Sequence, residues 1–286
     1  METAVAFESV SFFYPGRDLE VGEDQSIRAV ENPDEINQVF KTVSASLPAG
    51  MMSIVGQNGI GKSTLLLLAA GRLFPQEGRV TVFGKDTKDF TNAVRDPEIE
   101  EERNRYISFV YQNMEFETQA PVGELMEFVY ENGFHEERDP DFVRRIQNEL
   151  ELAPFLAKRT QELSKGQLQR AIIGFSLLYG SKIIMLDEPV FAMEEPQKDR
   201  AFRLLYDVSH ETGTPIYYSV HNLDISEKYS DYMLIFEKSG AFVVGPTEEL
   251  FTRDRLEQAY QAPMDTLYQR DQLYREVLIR GLDKAP

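Results

Sequence analysis

The sequence predicts an α/β fold with a largely parallel sheet, on three observations. Short apolar runs that read as strands alternate with segments that read as helices along most of the chain. One run, residues 182–186 (KIIML), is apolar without alternation, as expected of a strand covered on both faces. Two of the runs, 51–55 (MMSIV) and 182–186, lead directly into polar turns, and ligands bind at the C-terminal ends of strands in open α/β sheets.

Residues 5–13 alternate loosely, as an early strand does, and 17–34 (RDLEVGEDQSIRAVENPD) are polar and acidic and predict a loop or an irregular hairpin. Pro48-Ala49-Gly50 marks a turn, and 51–55 predicts a short strand that ends at a glycine. Residues 63–71 predict a helix with Gly71 near its C-terminus. Residues 78–83 predict a strand and 89–105 a charged loop with a short helix. The run 106–111 (YISFVY) predicts a strand that leads into Gln112, and 122–129 and 142–152 have helical apolar spacing. Ser164 opens a helix that carries 171–179. Further strands are predicted at 182–186, 216–220, 233–236 and 241–244, and from Thr247 the chain reads as helical and charged.

The 286 residues allow one large domain or two small ones. Lys plus Arg is 30 and Asp plus Glu is 48, a net charge of −18, which argues against general binding to nucleic acid or anionic lipid. With no cysteine there is no disulfide, thiol catalysis or cysteine metal site. The first residues lack the basic-then-apolar pattern of a signal peptide. The longest apolar runs, 65–70 and 171–180, fall short of the roughly 20 residues that span a bilayer, so any membrane part is expected on another chain.

Three motifs carry chemistry. GQNGIGKST, residues 56–64, fits G-x-x-x-x-G-K-[ST] between a predicted strand and a predicted helix. Gly56, Asn58, Gly59 and Gly61 let backbone amides curl round phosphates at a helix N-terminus; Lys62 can reach the β- and γ-phosphates, Ser63 can ligate Mg²⁺ and Thr64 can contact a phosphate. In KIIMLDEP, residues 182–189, an apolar strand delivers Asp187, suited to hold Mg²⁺ through water, and Glu188, suited to act as general base. An acidic pair after a strand is by itself more often a turn; beside a phosphate loop it reads as functional. In LSKGQLQR, residues 163–170, Ser164 is a good N-cap for the helix that follows.

Together these motifs resemble the ATP-binding subunits of ABC (ATP-binding cassette) transporters. Their signature usually reads L-S-G-G-Q and lies shortly before the Asp-Glu strand; here Ser164 precedes Asp187 by 23 residues. The resemblance runs from about residue 5 to about 246. It implies a P-loop NTPase with a mostly parallel core sheet, an N-terminal antiparallel β part and an inserted helical subdomain at about 113–178. The cassette would occupy 1–250, with a C-terminal helical extension at 251–286. It implies that Tyr14 stacks on adenine. Gln112 would meet Mg²⁺ and the attacking water, and His221 would contact the γ-phosphate and help place that water. Glu188, His221 and Gln112 become the catalytic set. Ser164, Gly166 and Gln167 would contact the ATP held by the other subunit of a head-to-tail homodimer or pseudo-dimer.

The same resemblance implies ATP and Mg²⁺ as cofactors, separate integral-membrane permease subunits as partners and a peripheral place on the cytoplasmic face of the membrane. A substrate-binding protein is left open, and no nucleic acid is implied. Residues 116–128 (FETQAPVGELMEF) would hold a groove for the permease. The segment after Gln112 resembles bacterial importers, and GPTEELFTRDRLEQAYQAPM resembles the end of metal-chelate importer subunits, so the reading leans to import. The alternative is a soluble non-transport ABC ATPase such as an iron–sulfur assembly subunit; translation factors usually carry two cassettes and repair ATPases a long coiled coil. A relative that turns over slowly is kept open by two departures: Lys165 replaces a signature glycine, and Phe191-Ala192-Met193-Glu194 stands where S-A-L-D is common. The acidic stretches between Tyr14 and Lys41 and over 89–102 are expected to be surface insertions. Residues 253–280 read as amphipathic helices with an apolar seam of Leu267, Leu273, Val277 and Leu278 that packs on the cassette or serves a dimer contact.

Overall fold

The computed structural model describes residues 2–21 and 27–267. Strand β1 (Thr3–Val21) pairs antiparallel with β2 (Ile27–Pro48), through several register shifts. Of the two readings of the acidic stretch, loop or irregular hairpin, its described residues form the irregular hairpin. Strand β3 (Met51–Val55) leads into helix α1 (Lys62–Ala69), and β4 (Glu77–Val82) and β5 (Lys85–Asp86) complete a four-stranded sheet of order β2-β1-β4-β5.

Helix α2 (Pro97–Tyr106) begins at Asp96, whose carboxylate accepts from the Glu98 N–H at 3.0 Å. The acidic run here is not left to solvent alone: Glu102 pairs with Lys85 at 3.0 Å, and Glu100 pairs with Arg72 and Arg103. Strand β6 (Ile107–Val110) follows, then helices α3 (Val122–Asn132), α4 (Phe142–Glu149) and α5 (Lys165–Leu178). Strand β7 (Ile183–Asp187) leads to α6 (Glu195–Thr212), a helix the sequence reading passed over. Its signals are Pro196 in the first turn, buried Ala201, Phe202, Leu205 and Val208 at helical spacing, and Gly213 at φ 72° closing the end. Strand β8 (Ile216–Ser219), α7 (Leu223–Tyr229), β9 (Tyr232–Phe236), β10 (Phe242–Pro246), α8 (Thr247–Leu250) and α9 (Arg253–Tyr260) complete the described order.

The second sheet has the order β10-β9-β3-β8-β7-β6, parallel except for β10. Its two faces are separate cores, and side-chain alternation along each strand divides them. In β7, Ile183 and Met185 join α1 (Leu65, Leu66, Leu68) and the four-stranded sheet, whereas Ile184 and Leu186 join α3 to α6. Burial on both faces is why KIIML shows no polar alternation. A third cluster gathers Val55, Met233 and Ile235 with Leu256 and Ala259 of α9; Leu267 packs against it, while Leu273, Val277 and Leu278 lie outside the described residues. Among the described residues no helix is long and apolar enough to cross a membrane.

Adjacent Tyr217 and Tyr218 in β8 point to opposite cores. Burial pushes both phenols far above their ordinary pKa, so they stay neutral donors. Tyr217 donates to the Pro48 carbonyl at 2.7 Å and Tyr218 to that of Tyr229 at 3.2 Å. Phe202 of α6 is fully buried, with ring centroids 4.8 Å from Tyr218 and 6.2 Å from Tyr229. Phe202→Ala is expected to cost about 3–5 kcal/mol of stability, read as a lower urea midpoint at unchanged slope; a cost within error of zero would contradict this packing.

Candidate functional site

Strand β3 ends in the loop that holds the first motif. Gly56 has φ 149°, and a Cβ there would lie 2.8 Å from the Phe236 Cβ. Gly61 has φ 115°, and a Cβ would lie 2.9 Å from Val39 Cγ1. Only glycine meets both the dihedral and the space at these positions. Gly59, at φ 75°, has nothing within 4 Å of its Cβ position, so the outer side of the loop is open. Asn58 is exposed beside it and Ser63 is half-buried at the start of α1. The first amides of α1 have no intrahelical acceptor and carry the positive end of the helix dipole.

Lys62 is buried, and its Nζ donates to the carbonyls of Gly56 at 2.9 Å and Gln57 at 3.1 Å. Burial lowers its pKa, with Glu188 and then Asp187 opposing the shift. The Tyr14 hydroxyl lies 3.2 Å from Thr64 Oγ1, and the half-buried ring meets Phe12 edge-on at 4.9 Å. The early strand and the phosphate loop are therefore joined directly.

The acid pair is fixed by the neighbouring strand. Asp187 pairs in register with Ser219 across β7 and β8. The Ser219 hydroxyl donates to Asp187 Oδ1 at 2.5 Å and accepts from the Glu188 N–H at 3.0 Å. Glu188 itself has φ 48°, in the left-handed region, a conformation that costs a non-glycine residue on the order of 1 kcal/mol and is held by its surroundings. Its carboxylate sits between two donors: His221 Nε2 at 2.7 Å from Oε1 and Gln112 Nε2 at 2.7 Å from Oε2. Burial pushes the carboxyl up. The His221 hydrogen bond and charge, the Lys62 charge and the Gln112 hydrogen bond together outweigh burial and hold it below its ordinary value. Each carboxylate oxygen keeps a further lone pair with which to accept a proton.

The third motif forms a second group. Ser164 and Gln167 close a capping box at the start of α5: the Gln167 N–H donates to Ser164 Oγ at 3.3 Å and the Ser164 N–H to Gln167 Oε1 at 3.0 Å. At Gly166 a Cβ would lie 2.6 Å from the Ala192 carbonyl oxygen, and the Ala192 N–H donates to Gln169 at 2.8 Å. The loop after the acid pair is thus pressed against the helix start, which accounts for Gly166 within one chain. Lys165 points outward, 3.6 Å from Glu115, with both side chains largely exposed.

The structure thus brings together the phosphate loop, Tyr14, Gln112, Asp187, Glu188 and His221, while Ser164, Gly166 and Gln167 belong to α5 on the other face of the sheet. Sequence reasoning missed Ser219, Gln57 and Tyr260. Ser219 was marked only by its place two residues before His221, and its role depends on strand register. The phosphate loop fits a polyphosphate: open outer side, forced glycines and a buried lysine whose Nζ donates to two backbone carbonyls. For Mg²⁺ the protein donors at hand are the Ser63 hydroxyl and Asp187. Among the described residues no group of three or more Asp, Glu or His could hold a metal.

Fold and loop define a P-loop NTPase of the ABC ATPase kind. Residues 40–191 match the ABC transporter family, and the chain belongs to it. It is 30% identical over 233 residues to a putative ABC transporter ATP-binding protein of Methanosarcina mazei, covering 81% of this chain and 49% of that one. It is 25% identical over 229 residues to the cobalamin import ATP-binding protein BtuD of Halobacterium salinarum, covering 79% and 56%. The chain therefore spans about half the length of the curated relatives it matches. The structure superposes on cbiO1 from Clostridium perfringens, part of the ABC transporter complex cbiONQ, with a TM-score of 0.64 at 22% identity, covering 90% and 93% of the two chains.

A carboxyl held below its ordinary pKa stabilises the fold above that value, and the gain is lost as pH falls through the lowered one. The stability advantage of wild type over Glu188→Gln is therefore expected to hold from about pH 7 to about pH 5 and to shrink below the ordinary carboxylate value of 4.5. Thermal unfolding of both proteins across that range checks this; an advantage that grows toward acid would contradict it.

Proposed function

We propose that this chain hydrolyses ATP to drive a membrane transporter whose permease is a separate protein. The observation that carries the chemistry is the Glu188 carboxylate clamped between Gln112 and His221 beside the buried Lys62. Lys62 and the loop amides from Gly59 to Thr64 hold the phosphates, and Tyr14 lies against Thr64 where the nucleotide's base side would begin. Glu188 accepts the proton of the attacking water, and a carboxyl kept below its ordinary pKa is in the basic form at neutral pH. His221 and Gln112 fix the direction of that carboxylate. Asp187, turned by Ser219, and the Ser63 hydroxyl would hold Mg²⁺, which supplies charge neutralisation on the phosphates. Most of the rate enhancement then comes from positioning and electrostatics.

The placement of α1 and α5 on opposite faces of the sheet supports a site completed by a second subunit. Ser164, Gly166 and Gln167 would face the ATP of the partner in a head-to-tail dimer of like chains. Exposed Phe128 on α3 and exposed Tyr111, which follows β6 and directly precedes Gln112, offer apolar surface to a permease. That adjacency would let permease movement reach the Glu188 clamp. The name of the Halobacterium relative and the C-terminal sequence support import of a metal chelate. Under this reading the chain would work at the cytoplasmic face of the membrane.

The test is affinity purification of the tagged chain from detergent-solubilised membranes, with co-purifying proteins identified by mass spectrometry. A polytopic permease is expected. Recovery of soluble partners alone, with the chain absent from membranes, would overturn the transporter reading in favour of a soluble ABC ATPase.

A further inference from the structure

Helix α9 reaches back to the root of the phosphate loop. The Gly56 N–H donates to the Tyr260 hydroxyl at 3.1 Å, and Gln57 Nε2 donates to the Tyr260 carbonyl at 2.8 Å. That carbonyl is available because Tyr260 is the last residue of α9, where carbonyls lack an intrahelical donor, and Gln261 turns away at φ 54°. Lys62 grips the same two residues through their carbonyl oxygens. The root is thus held from inside by the lysine of the motif and from outside by a residue 204 positions further along the chain.

The helix does not depend on this hydroxyl for its place. Leu256 and Ala259 are buried against Val55, Met233 and Ile235. Lys238 Nζ donates to Gln261 Oε1 at 3.1 Å, the Met264 N–H to Glu257 at 2.9 Å, and Arg253 pairs with Asp265 at 3.1 Å. The hydroxyl adds a link from this platform to one glycine amide. Gly56 needs such a link more than most residues do: it has no Cβ to restrict its backbone, sits at φ 149° and joins β3 to the loop. When Lys62 turns to a phosphate and leaves the Gly56 and Gln57 carbonyls, the two Tyr260 links to the root remain.

We propose that Tyr260 is a positioning residue for nucleotide binding, through which the C-terminal segment pre-arranges the phosphate loop. Ordering the loop before the ligand arrives lowers the entropy lost on binding. The proposal rests on nucleotide binding at the loop and is independent of transport or of any permease.

Tyr260→Phe keeps the ring and its packing and removes only the hydroxyl. ADP is the probe, since it occupies the loop without turnover, and its dissociation constant is measured by calorimetry on the whole chain beside the unliganded Tm. The variant is expected to bind ADP about two- to ten-fold more weakly, the size of one neutral hydrogen bond, while still unfolding cooperatively with at most a small drop in unliganded Tm. Wild-type affinity in the variant overturns the proposal, as does a lowered Tm at wild-type affinity, which makes the hydroxyl merely structural. A wild-type chain that binds no ADP overturns the nucleotide site itself.

Discussion

The site depends first on the parallel pairing of β7 with β8. That register sets Ser219 opposite Asp187, and one hydroxyl then fixes the Asp187 carboxylate and the Glu188 amide together. Glu188 is thereby held in the left-handed region, and its side chain meets His221 from the end of β8 and Gln112 from the end of β6. A slip of one residue would turn every side chain of β7 to the other face and scatter the set. The fully buried, two-faced packing of Ile183 to Leu186 makes that slip expensive. Core packing is in this sense the guarantor of the geometry around Asp187 and Glu188.

The same alternation separates the two halves of the chemistry. The face that carries Ile183 and Met185 takes α1 and the phosphate loop; the face that carries Ile184 and Leu186 takes α5 and its capped start. Within one chain Ser164 and Gln167 satisfy each other, and Gly166 yields space to the Ala192 carbonyl. The loop after the acid pair therefore links Glu188 to α5 by backbone contact. Under the proposed dimeric arrangement, this contact gives one site a mechanical route to the other. Lys165 stands outside it and pairs on the surface with Glu115, which explains how a cation can replace the usual glycine without disturbing the helix start.

Much of this was legible in the sequence because local chemistry and local structure coincide. The phosphate loop declares itself through glycines that no other residue can replace, and the strand before it through five buried positions. The capping box at Ser164 and Gln167 is likewise a local signal. Helix α6 was not legible because it starts directly after the turn that follows the acid pair and its first two turns are charged and polar, so the apolar spacing begins only at Ala201 and Phe202. The hairpin of β1 and β2 was legible only as one of two readings, because acidic composition says little about backbone pairing. Ser219 and Tyr260 could not be read at all: one acts through strand register, the other through a contact 204 residues away in sequence. Composition and periodicity carry neither kind of information.

The measurement closest to the centre of this account is steady-state ATP hydrolysis by Glu188→Gln, with nucleotide affinity determined on the same preparation. The amide keeps the shape and can still engage Gln112 and His221, but it cannot take a proton. The account predicts retained ATP affinity and a turnover lowered by about 10²-fold or more, the usual contribution of a positioned general base. Turnover near the wild-type rate with the same affinity would contradict it, because the clamp on Glu188 would then be structure without catalysis.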